Sequence, residues 1–200
     1  MKHQSQTSGQ LLHNLYFGTL DVIVSEDYYQ DETIRLMKDT NNLRIILQQL
    51  NGDTVNAEDF DFLITDDNTL FDSDNNIVPN GGITYTPWTK GQASTGITDA
   101  DQEVIVAYAE LSVSRLMVQN APRLIIRKHA DGTDVVNIPL NNYLLVLKSN
   151  LYADMGAQEY LDRESEWSMI FFLGANHEWI KTQVIINDWI VRLSDIGLEL

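Results

Sequence analysis

The densest apolar stretch of this chain lies near its C-terminus, between Gln158 and Arg192. Within this stretch, Trp167–Leu173 is apolar or aromatic at almost every position, odd and even alike. Successive side chains of a strand point to opposite faces, so such a run is typical of a strand that is covered on both sides. We therefore predict that Trp167–Leu173 is a central strand in a layered β structure.

Two further strands are predicted directly after it. Gly174–His177 is short and contains Gly and Asn, which favours a hairpin connection. Trp179–Asn187 then alternates, with Lys181 and Gln183 predicted on its wetter face. Trp189–Leu193 follows as a last strand. The C-terminal part of the chain is thus expected to form the core of a β domain.

Alternation with a period of two predicts strands in the rest of the chain as well. They cover residues 15–24, 33–37, 42–50, 60–64, 104–118, 123–128 and 135–138, with short strands near Leu70 and Thr84. Residues 140–147 instead show helical spacing after Pro139, and residues 152–164 are expected to be a loop with one helical turn. With about nine strands and one or two short helices, the predicted fold class is an all-β sandwich.

Composition and charge exclude several classes of function. The formal net charge is −16, which disfavours binding to nucleic acids and direct docking on anionic lipids. The chain has no cysteine, so disulfides, thiolate zinc sites and cysteine nucleophiles are excluded. No apolar run is long enough for a transmembrane helix. Met1–Gln10 is polar, unlike a secretory signal, and is expected to be a disordered lead.

Residues 66–96 are rich in Asp, Asn, Gly, Thr and Pro and are predicted to form long loops. Asp72, Asp74 and Asn76 have the spacing that begins a calcium-binding loop. The pattern then fails, because Ile77 and Ile83 stand where such a loop needs Gly and Glu. A solvated acidic loop is the preferred interpretation.

No motif predicts a catalytic, cofactor-binding or metal-binding residue. His177-Glu178 begins like a zinc protease motif but lacks the second histidine. Ser112 and Ser114 lie on a polar strand face without the context of a nucleophile. Phosphate-binding glycine motifs are also missing from the sequence.

The acidic run around Glu159 and Asp162 comes from a single segment, whereas glycoside hydrolysis needs carboxylates facing each other across a sugar. We predict instead a salt-bridged loop in which Arg163 holds one or both acids by planar, bidentate contact. Of the four tryptophans, Trp167, Trp179 and Trp189 lie in apolar strands and are predicted to pack in the core. Trp88 lies in the polar loop region and is the candidate for exposure.

Eight short blocks carry a family resemblance. They are Leu15–Gly18, Lys38–Arg44, Ile83–Pro87, Arg115–Leu116, Asn137–Leu144, Gln158–Arg163, Phe171–Leu173 and Ile185–Trp189. In this order they resemble the FimB/Mfa-type fimbrial anchor lipoproteins of Bacteroides-like bacteria. The resemblance extends over about residues 15–194.

The resemblance implies a two-domain, transthyretin-like β-sandwich subunit, of which this chain is similar to the second domain. Residues 1–30 would then be an N-terminal lead and linker remnant, and residues 31–200 the C-terminal β-sandwich domain. Family members are exported lipoproteins that hold or terminate a fimbrium at the outer membrane. This sequence contains neither the cysteine that carries the lipid nor a leader. The resemblance implies no catalytic residue and no cofactor.

The leading hypothesis is a structural, non-enzymatic fimbrial anchor or assembly domain at the cell surface. Its expected partners are fimbrial subunits, which could add a strand at an open sheet edge. The alternative is a carbohydrate-binding β-sandwich, which would require exposed aromatics such as Trp88 and Tyr85 to line a groove. A third hypothesis, a glycoside hydrolase fragment, would require two inward carboxylates across a cleft.

Overall fold

The computed structural model describes residues 6–24, 29–95, 104–146, 148, 152–186 and 189–193. The strands are β1 (Gln6–Ser8), β2 (Tyr16–Phe17), β3 (Met37–Lys38), β4 (Thr40–Gln49), β5 (Phe60–Asp66), β6 (Ile83–Tyr85), β7 (Thr89–Thr95), β8 (Val104–Ser114), β9 (Arg123–Lys128), β10 (Asp134–Pro139), β11 (Glu166–Leu173), β12 (Trp179–Ile186) and β13 (Trp189–Leu193). The helices are α1 (Leu140–Val146), α2 (Ala157–Arg163) and a 3-10 turn at Ala57–Asp59. This architecture confirms the predicted all-β fold class.

The strands form two large sheets and one small one. One sheet has the order β1-β6-β5-β9-β10, and the other has the order β13-β12-β11-β4-β8-β7. The small sheet is the antiparallel pair β2–β3. Most neighbours are antiparallel, but β4 pairs with β11 and β1 pairs with β6 in parallel. Both large sheets are therefore mixed.

The hydrophobic core lies between the two large sheets, because the strands of each sheet turn alternate side chains toward the other. The inward side chains of β4 and β5 are no more than 1% exposed, and they are Leu43, Ile45, Leu47, Phe60, Phe62 and Ile64. They belong to one cluster with inward residues of β8, β9 and β11. This shared core makes the chain a sandwich.

The predicted centre of the sandwich is confirmed. Strand β11 lies between β12 and β4, and both Phe171 and Phe172 are buried although they point to opposite faces. The hairpin connection after β11 is also confirmed. A Cβ atom at Gly174 would collide with the carboxylate of Glu178, which accepts a hydrogen bond from the Asn176 N–H at 2.9 Å. A larger residue at this position would therefore displace the Glu178 carboxylate from its place in the turn.

The strands predicted for residues 15–24 and 33–37 are largely wrong. Only Tyr16–Phe17 and Met37–Lys38 pair with each other. Residues 19–24 and 29–36 are all exposed and belong to no strand. Their apolar alternation satisfies the local requirement for a strand, but a strand also needs a neighbouring strand, which the described part of the chain does not supply here.

Several smaller predictions also need correction. The region predicted as loop to residue 96 contains the seven-residue strand β7, whereas near Leu70 only an isolated bridge joins Phe71 to Ile77. The predicted single helical turn is the seven-residue helix α2. On β12, Gln183 is buried and not on a wet face. Part of the predicted disordered lead joins a sheet as β1.

For the other predicted elements, the central residues are confirmed. The helix predicted after Pro139 is α1, and β4, β5, β8, β9, β10 and β13 lie where alternation placed them. Leu147 and Asn187, at the ends of two predicted elements, and the side chain of Trp189 lie outside the described part. No helix among the described residues is both long enough and apolar enough to span a membrane.

The buried face of β11 allows a direct test of the sandwich core. Phe171 is fully buried and packs edge-on against Trp179, with ring centroids 6.0 Å apart. Phe171→Ala should lower the free energy of unfolding by about 3–5 kcal/mol, because it leaves a cavity in a close-packed region. Urea unfolding followed by tryptophan fluorescence would measure the change.

The matched control for this substitution is Leu36→Ala, at a side chain that is 59% exposed. It should change the free energy of unfolding by less than about 0.5 kcal/mol. Equal effects of the two substitutions would contradict the proposed position of the core.

Candidate functional site

A buried charge cluster, made of Asp39, Arg115 and Asp162, joins distant parts of the chain. The Arg115 guanidinium donates two hydrogen bonds to the Asp162 carboxylate, with Nε–Oδ1 and Nη2–Oδ2 distances of 2.7 and 2.8 Å. Its Nε lies 3.9 Å from Asp39 Oδ1. The third guanidinium nitrogen donates to the backbone carbonyl of Asn75. The cluster thus connects the start of β4, the end of β8, α2 and the loop before β6.

Two amide side chains complete the cluster. Asn75 donates from Nδ2 to Asp39 Oδ1 at 2.9 Å, and it adopts a φ of 62°, which Asn tolerates better than most residues. Gln158 donates to Asp162 Oδ1 and accepts a hydrogen bond from the Val118 N–H. Burial raises the pKa of Asp39, although Asn75 and Arg115 both act in the opposite direction. The arrangement ties loops to the sandwich and engages both carboxylates of the cluster in hydrogen bonds.

The prediction that Arg163 holds one or both acids of the run is confirmed for Glu159, but through one hydrogen bond and not a bidentate contact. The Arg163–Glu159 contact is exposed, is 2.6 Å long and joins residues one helical turn apart. The bidentate contact with Asp162 comes from Arg115 instead. Sequence reasoning missed this pairing because Arg115 lies 47 positions away from Asp162. In the sequence, Arg115 stands out only because Arg115–Leu116 is one of the blocks that carry the family resemblance.

The acidic loop that begins like a calcium-binding loop is organised by its own hydrogen bonds. Asp72 Oδ1 accepts hydrogen bonds from the backbone N–H groups of Asp74 and Asn76 at 2.9 and 2.8 Å. These hydrogen bonds, with that from Asn76 first, lower the pKa of Asp72. No group of three or more acidic or histidine side chains is arranged for a metal ion in the part of the chain that is described.

The other sequence candidates also have local structural partners. His177 lies in the hairpin connection and packs its ring edge against Phe60, with centroids 5.4 Å apart. Ser112 is buried and donates to Asn42 Oδ1 at 3.0 Å. His129 lies on the surface beside Asp61, at 3.2 Å. These groups are not brought together into one site.

The aromatic residues are distributed unevenly between core and surface. Trp167 is buried and donates from Nε1 to Asn41 Oδ1 at 3.0 Å, and Trp179 packs against the core, as predicted. Trp88 is 38% exposed. Tyr85, however, is fully buried and donates its hydroxyl to Asn68 Oδ1 at 2.7 Å. The carbohydrate-binding alternative required Trp88 and Tyr85 to line a groove together, and the burial of Tyr85 does not meet this requirement.

A depression of about 520 Å³ lies at one end of the five-stranded sheet, where β5 ends and β9 begins. Its lining includes Asp66, Asp67, Asn120 and Arg123 but no aromatic side chain. Asn120 donates to Asp66 Oδ1 at 3.0 Å, and burial raises the pKa of Asp66. Without an aromatic ring to stack on a sugar, this depression does not replace the missing groove.

The free edge of the six-stranded sheet is the feature best suited to a partner. Strand β7 is the terminal strand of the sheet as described, where β8 is its one paired neighbour, in unbroken register from Thr89 to Thr95. It contains no proline, and its one charged side chain, Lys90, pairs with Glu58 at 3.2 Å. Gly91 lies against the ring of Tyr108, which leaves little room for a side chain. An edge of this kind presents backbone donors and acceptors to a neighbour.

The opposite large sheet has better protected edges. Strand β10 has a register shift between Asp134 and Val136, ends at Pro139 and continues directly into α1. Bulges and proline are common protections against unwanted pairing. Its other edge strand, β1, has only three residues. Strand β13 is the far edge of the six-stranded sheet and has five residues, two fewer than β7.

These features define a class of protein: a two-sheet β-sandwich with an open edge at β7 among the described residues. The chain belongs to the family of fimbrillin-A associated anchor proteins Mfa1 and Mfa2, whose family model matches residues 2–195. This finding confirms the resemblance noted in the sequence. No curated protein matches the chain.

Solved structures show the same relationship. A candidate adhesin from Bacteroides thetaiotaomicron is 58% identical with a TM-score of 0.85, and the match covers 92% of this chain and 62% of that one. A candidate polysaccharide-binding protein from the same species is 27% identical with a TM-score of 0.74, covering 94% and 63%. The fimbrial anchor protein Mfa2 from Porphyromonas gingivalis is 12% identical with a TM-score of 0.58, covering 90% and 60%, and shares the fold. The chain thus spans less than two thirds of each of these structures.

The charge cluster generates a stability prediction. Arg115→Ala would leave Asp39 and Asp162 without their shared cation in a poorly solvated place, so it should cost about 3–5 kcal/mol in the free energy of unfolding. Arg163→Ala is the matched control, because its exposed pair with Glu159 contributes about 0.5 kcal/mol or less. Urea unfolding would compare them, and similar losses would show that the cluster is not a structural connection.

The raised pKa of Asp39 generates a prediction about pH. Its ordinary value is 3.8, and above it the folded state binds more protons at this group than the unfolded state does. The contribution of Asp39 to the free energy of unfolding therefore falls as the pH rises from this value through the raised folded pKa. Asp39→Asn removes that contribution, so the stability of this variant relative to the wild type should increase as the pH rises from 3.8 through the raised folded pKa.

The control variant, Asp72→Asn, should show the opposite dependence of stability on pH. Asp72 has a lowered pKa, so its contribution is present above the ordinary value of 3.8 and is lost as the pH falls through the lowered folded pKa. Asp72→Asn should therefore lose stability relative to the wild type as the pH rises. Urea unfolding at several pH values would measure both variants, and parallel pH profiles of the two would contradict the assignment.

Proposed function

We propose that the chain is a structural, non-enzymatic domain of a fimbrial anchor or assembly subunit that acts at the cell surface, at the outer membrane. Family membership and the 58% identity to a candidate adhesin support this function. The observation that carries it is the open edge at β7, in a sandwich whose candidate reactive groups are engaged in local structural contacts. Such a surface is suited to holding a partner.

The proposed mode of binding is strand addition at β7, with a fimbrial subunit as the partner. A strand of this length, seven residues, offers roughly 23 Å of edge at about 3.3 Å per residue. Alternate N–H and C=O groups of an edge strand point away from the sheet and can pair with an extended segment. Backbone pairing would supply affinity, and the exposed ring of Trp88 next to the strand would add an apolar contact.

We also propose the division of the chain into a lead and linker remnant at residues 1–30 and a β-sandwich domain at residues 31–200. The exposed residues 19–24 and 29–30 support a connecting role for the first part. Gln6–Ser8, which pair with β6, and Tyr16–Phe17, which pair with β3, are parts of the lead that fold together with the proposed domain.

A carbohydrate-binding module is the second candidate function. The exposed Trp88 and the 27% identity to a candidate polysaccharide-binding protein favour it. The burial of Tyr85 weighs against it, because one ring alone forms a small platform. If the wild-type chain binds glycans on an array and Trp88→Ala does not, carbohydrate binding would be favoured over the structural function.

Hydrogen exchange tests the strand-addition mode. Purified fimbrial subunits from a Bacteroides source would be mixed with the chain, and amide exchange would be followed by mass spectrometry. Exchange should slow in Thr89–Thr95, because new interstrand hydrogen bonds protect the outward amides. The bulged strand β10 serves as the internal control and should not change. Protection elsewhere without protection at β7 would overturn the assignment of this edge.

Two variants, each with a proline substituted at one of two neighbouring positions of β7, make the test more specific. Successive amides of β7 point alternately toward β8 and toward the open edge, so Gln92→Pro and Ala93→Pro remove hydrogen bonds on different sides. The variant with the smaller loss of thermal stability has lost the outward amide and should bind the subunits less well than the wild type. Undiminished binding of both variants would contradict strand addition at β7.

A further inference from the structure

Two asparagines of this chain, Asn51 and Asn80, are each followed directly by glycine. In such a pair the backbone nitrogen of the glycine can attack the side-chain amide carbon of the asparagine, because glycine has no Cβ atom to hinder the approach. The new N–Cγ bond forms as the Cγ–Nδ2 bond breaks, and the side-chain nitrogen leaves as ammonia with the proton of the glycine amide. Water then opens the five-membered succinimide ring to aspartate or isoaspartate. Each pair is therefore a candidate site of chemical modification.

The two sites are alike in exposure and in backbone conformation. Both asparagines are exposed to solvent. Both glycines have a positive φ, 82° at Gly52 and 88° at Gly81. Neither property distinguishes the sites, so a difference in reactivity must come from the hydrogen bonds around each pair.

The Asn51 site is closed by three hydrogen bonds. The Gly52 N–H, which carries the attacking nitrogen, donates to the Gln49 carbonyl at 3.1 Å. Asn51 Nδ2 donates to Asp53 Oδ2 at 2.7 Å, and Asn51 Oδ1 accepts a hydrogen bond from the Asp53 N–H at 3.0 Å. Both the nucleophile and the leaving group are thus engaged in the turn that follows β4. Attack on Asn51 requires this turn to open first.

The Asn80 site is held more loosely, in the loop that leads to β6. Asn80 Nδ2 donates to Thr69 Oγ1 at 3.2 Å, and the Asn80 N–H donates to Asp67 Oδ1 at 3.0 Å. Within the described part of the chain, no acceptor takes the Gly81 N–H and no donor reaches Asn80 Oδ1. Attack on Asn80 therefore needs only the release of one side-chain hydrogen bond.

A third pair, Asp131-Gly132, can form the same ring only by losing water from a neutral carboxyl group. The Gly132 N–H donates to the Lys128 carbonyl at 2.9 Å. The Asp131 carboxylate accepts a hydrogen bond from the Thr133 N–H at 2.9 Å, and this bond lowers the pKa of Asp131. The group therefore stays charged and resists attack. Isoaspartate is not expected at position 131 of the folded chain.

We propose that Asn80 deamidates spontaneously in the folded protein, whereas Asn51 is protected by its turn. The product adds one negative charge close to the Asp67 carboxylate, which accepts the hydrogen bond from the Asn80 N–H. Asp67 and Pro79 both line the depression at the end of the five-stranded sheet. The modification therefore makes one side of this depression more acidic. It is independent of the binding proposed at β7.

The test incubates the intact folded chain at mildly alkaline pH, beside a sample unfolded in guanidinium chloride. Peptide mass spectrometry follows the conversion of amide to acid at both asparagines from the start of the incubation. In the folded chain, Asn80 should convert about tenfold faster than Asn51, the factor expected if opening the Asn51 turn costs what hydrogen bonds of this kind contribute. In the unfolded chain the two rates should be similar, because glycine follows both asparagines.

Two matched variants assign the charge change to one residue. Asn80→Gln keeps an amide but would need a six-membered ring, which closes more slowly, so the acidic species that accumulates on ion-exchange chromatography should disappear. Asn51→Gln is the control and should accumulate this species like the wild type. Both positions are exposed, so unchanged thermal unfolding would confirm that the variants are folded.

Three results would overturn the proposal. The first is conversion of Asn51 in the folded chain at the rate of Asn80 or faster. The second is conversion of Asn80 only after unfolding, which would show that the folded loop protects it. The third is an acidic species that persists in Asn80→Gln, which would place the modification elsewhere.

Discussion

The structure depends on the parallel pairing of β4 with β11 in the middle of the six-stranded sheet. The register runs without interruption from Asn42↔Glu166 to Gln49↔Leu173. Each of the two strands is flanked on its other side by an antiparallel neighbour, β8 or β12. The inward residues of this pair contribute much of the core that faces the five-stranded sheet. Because Asn42 and Glu166 are 124 positions apart, most of the chain folds between these two strands.

This central pair is also where the sequence was most informative. Buried strands must place apolar side chains on one or both faces, so the patterns of Trp167–Leu173 and of residues 42–50 are strong. Strand β7 carries no such pattern, because an edge strand made of Thr, Lys, Gly, Gln, Ala and Ser hides little apolar surface. Residues 19–24 and 33–36 gave the opposite error, since they have a strand pattern but no neighbouring strand among the described residues. Local pattern therefore identifies a central strand well, but it identifies neither an edge strand nor the neighbour that a strand needs.

The candidate site could be predicted only in general terms. An open edge follows from a sandwich fold, but which edge is open depends on the strand order, which local sequence does not encode. Likewise, Arg115 and Asp162 meet because α2 lies beside the end of β8, a tertiary fact. The acidic balance of the chain was readable from composition alone. In the structure, several basic side chains form ion pairs between separate strands, as Lys38 does with Glu166.

The geometry of the charge cluster has a consequence for sequence variation among related proteins. A guanidinium is planar and can serve two carboxylates and a carbonyl at once, which the single ammonium of lysine cannot reproduce. Arg115 should therefore tolerate few replacements while Asp39 and Asp162 are present. Lineages that lose the arginine should lose the two acids as well, and apolar residues of matching volume are the natural successors. Positions 39, 115 and 162 are thus expected to co-vary as one unit, and an alignment of homologues would reveal the buried contact without any coordinates.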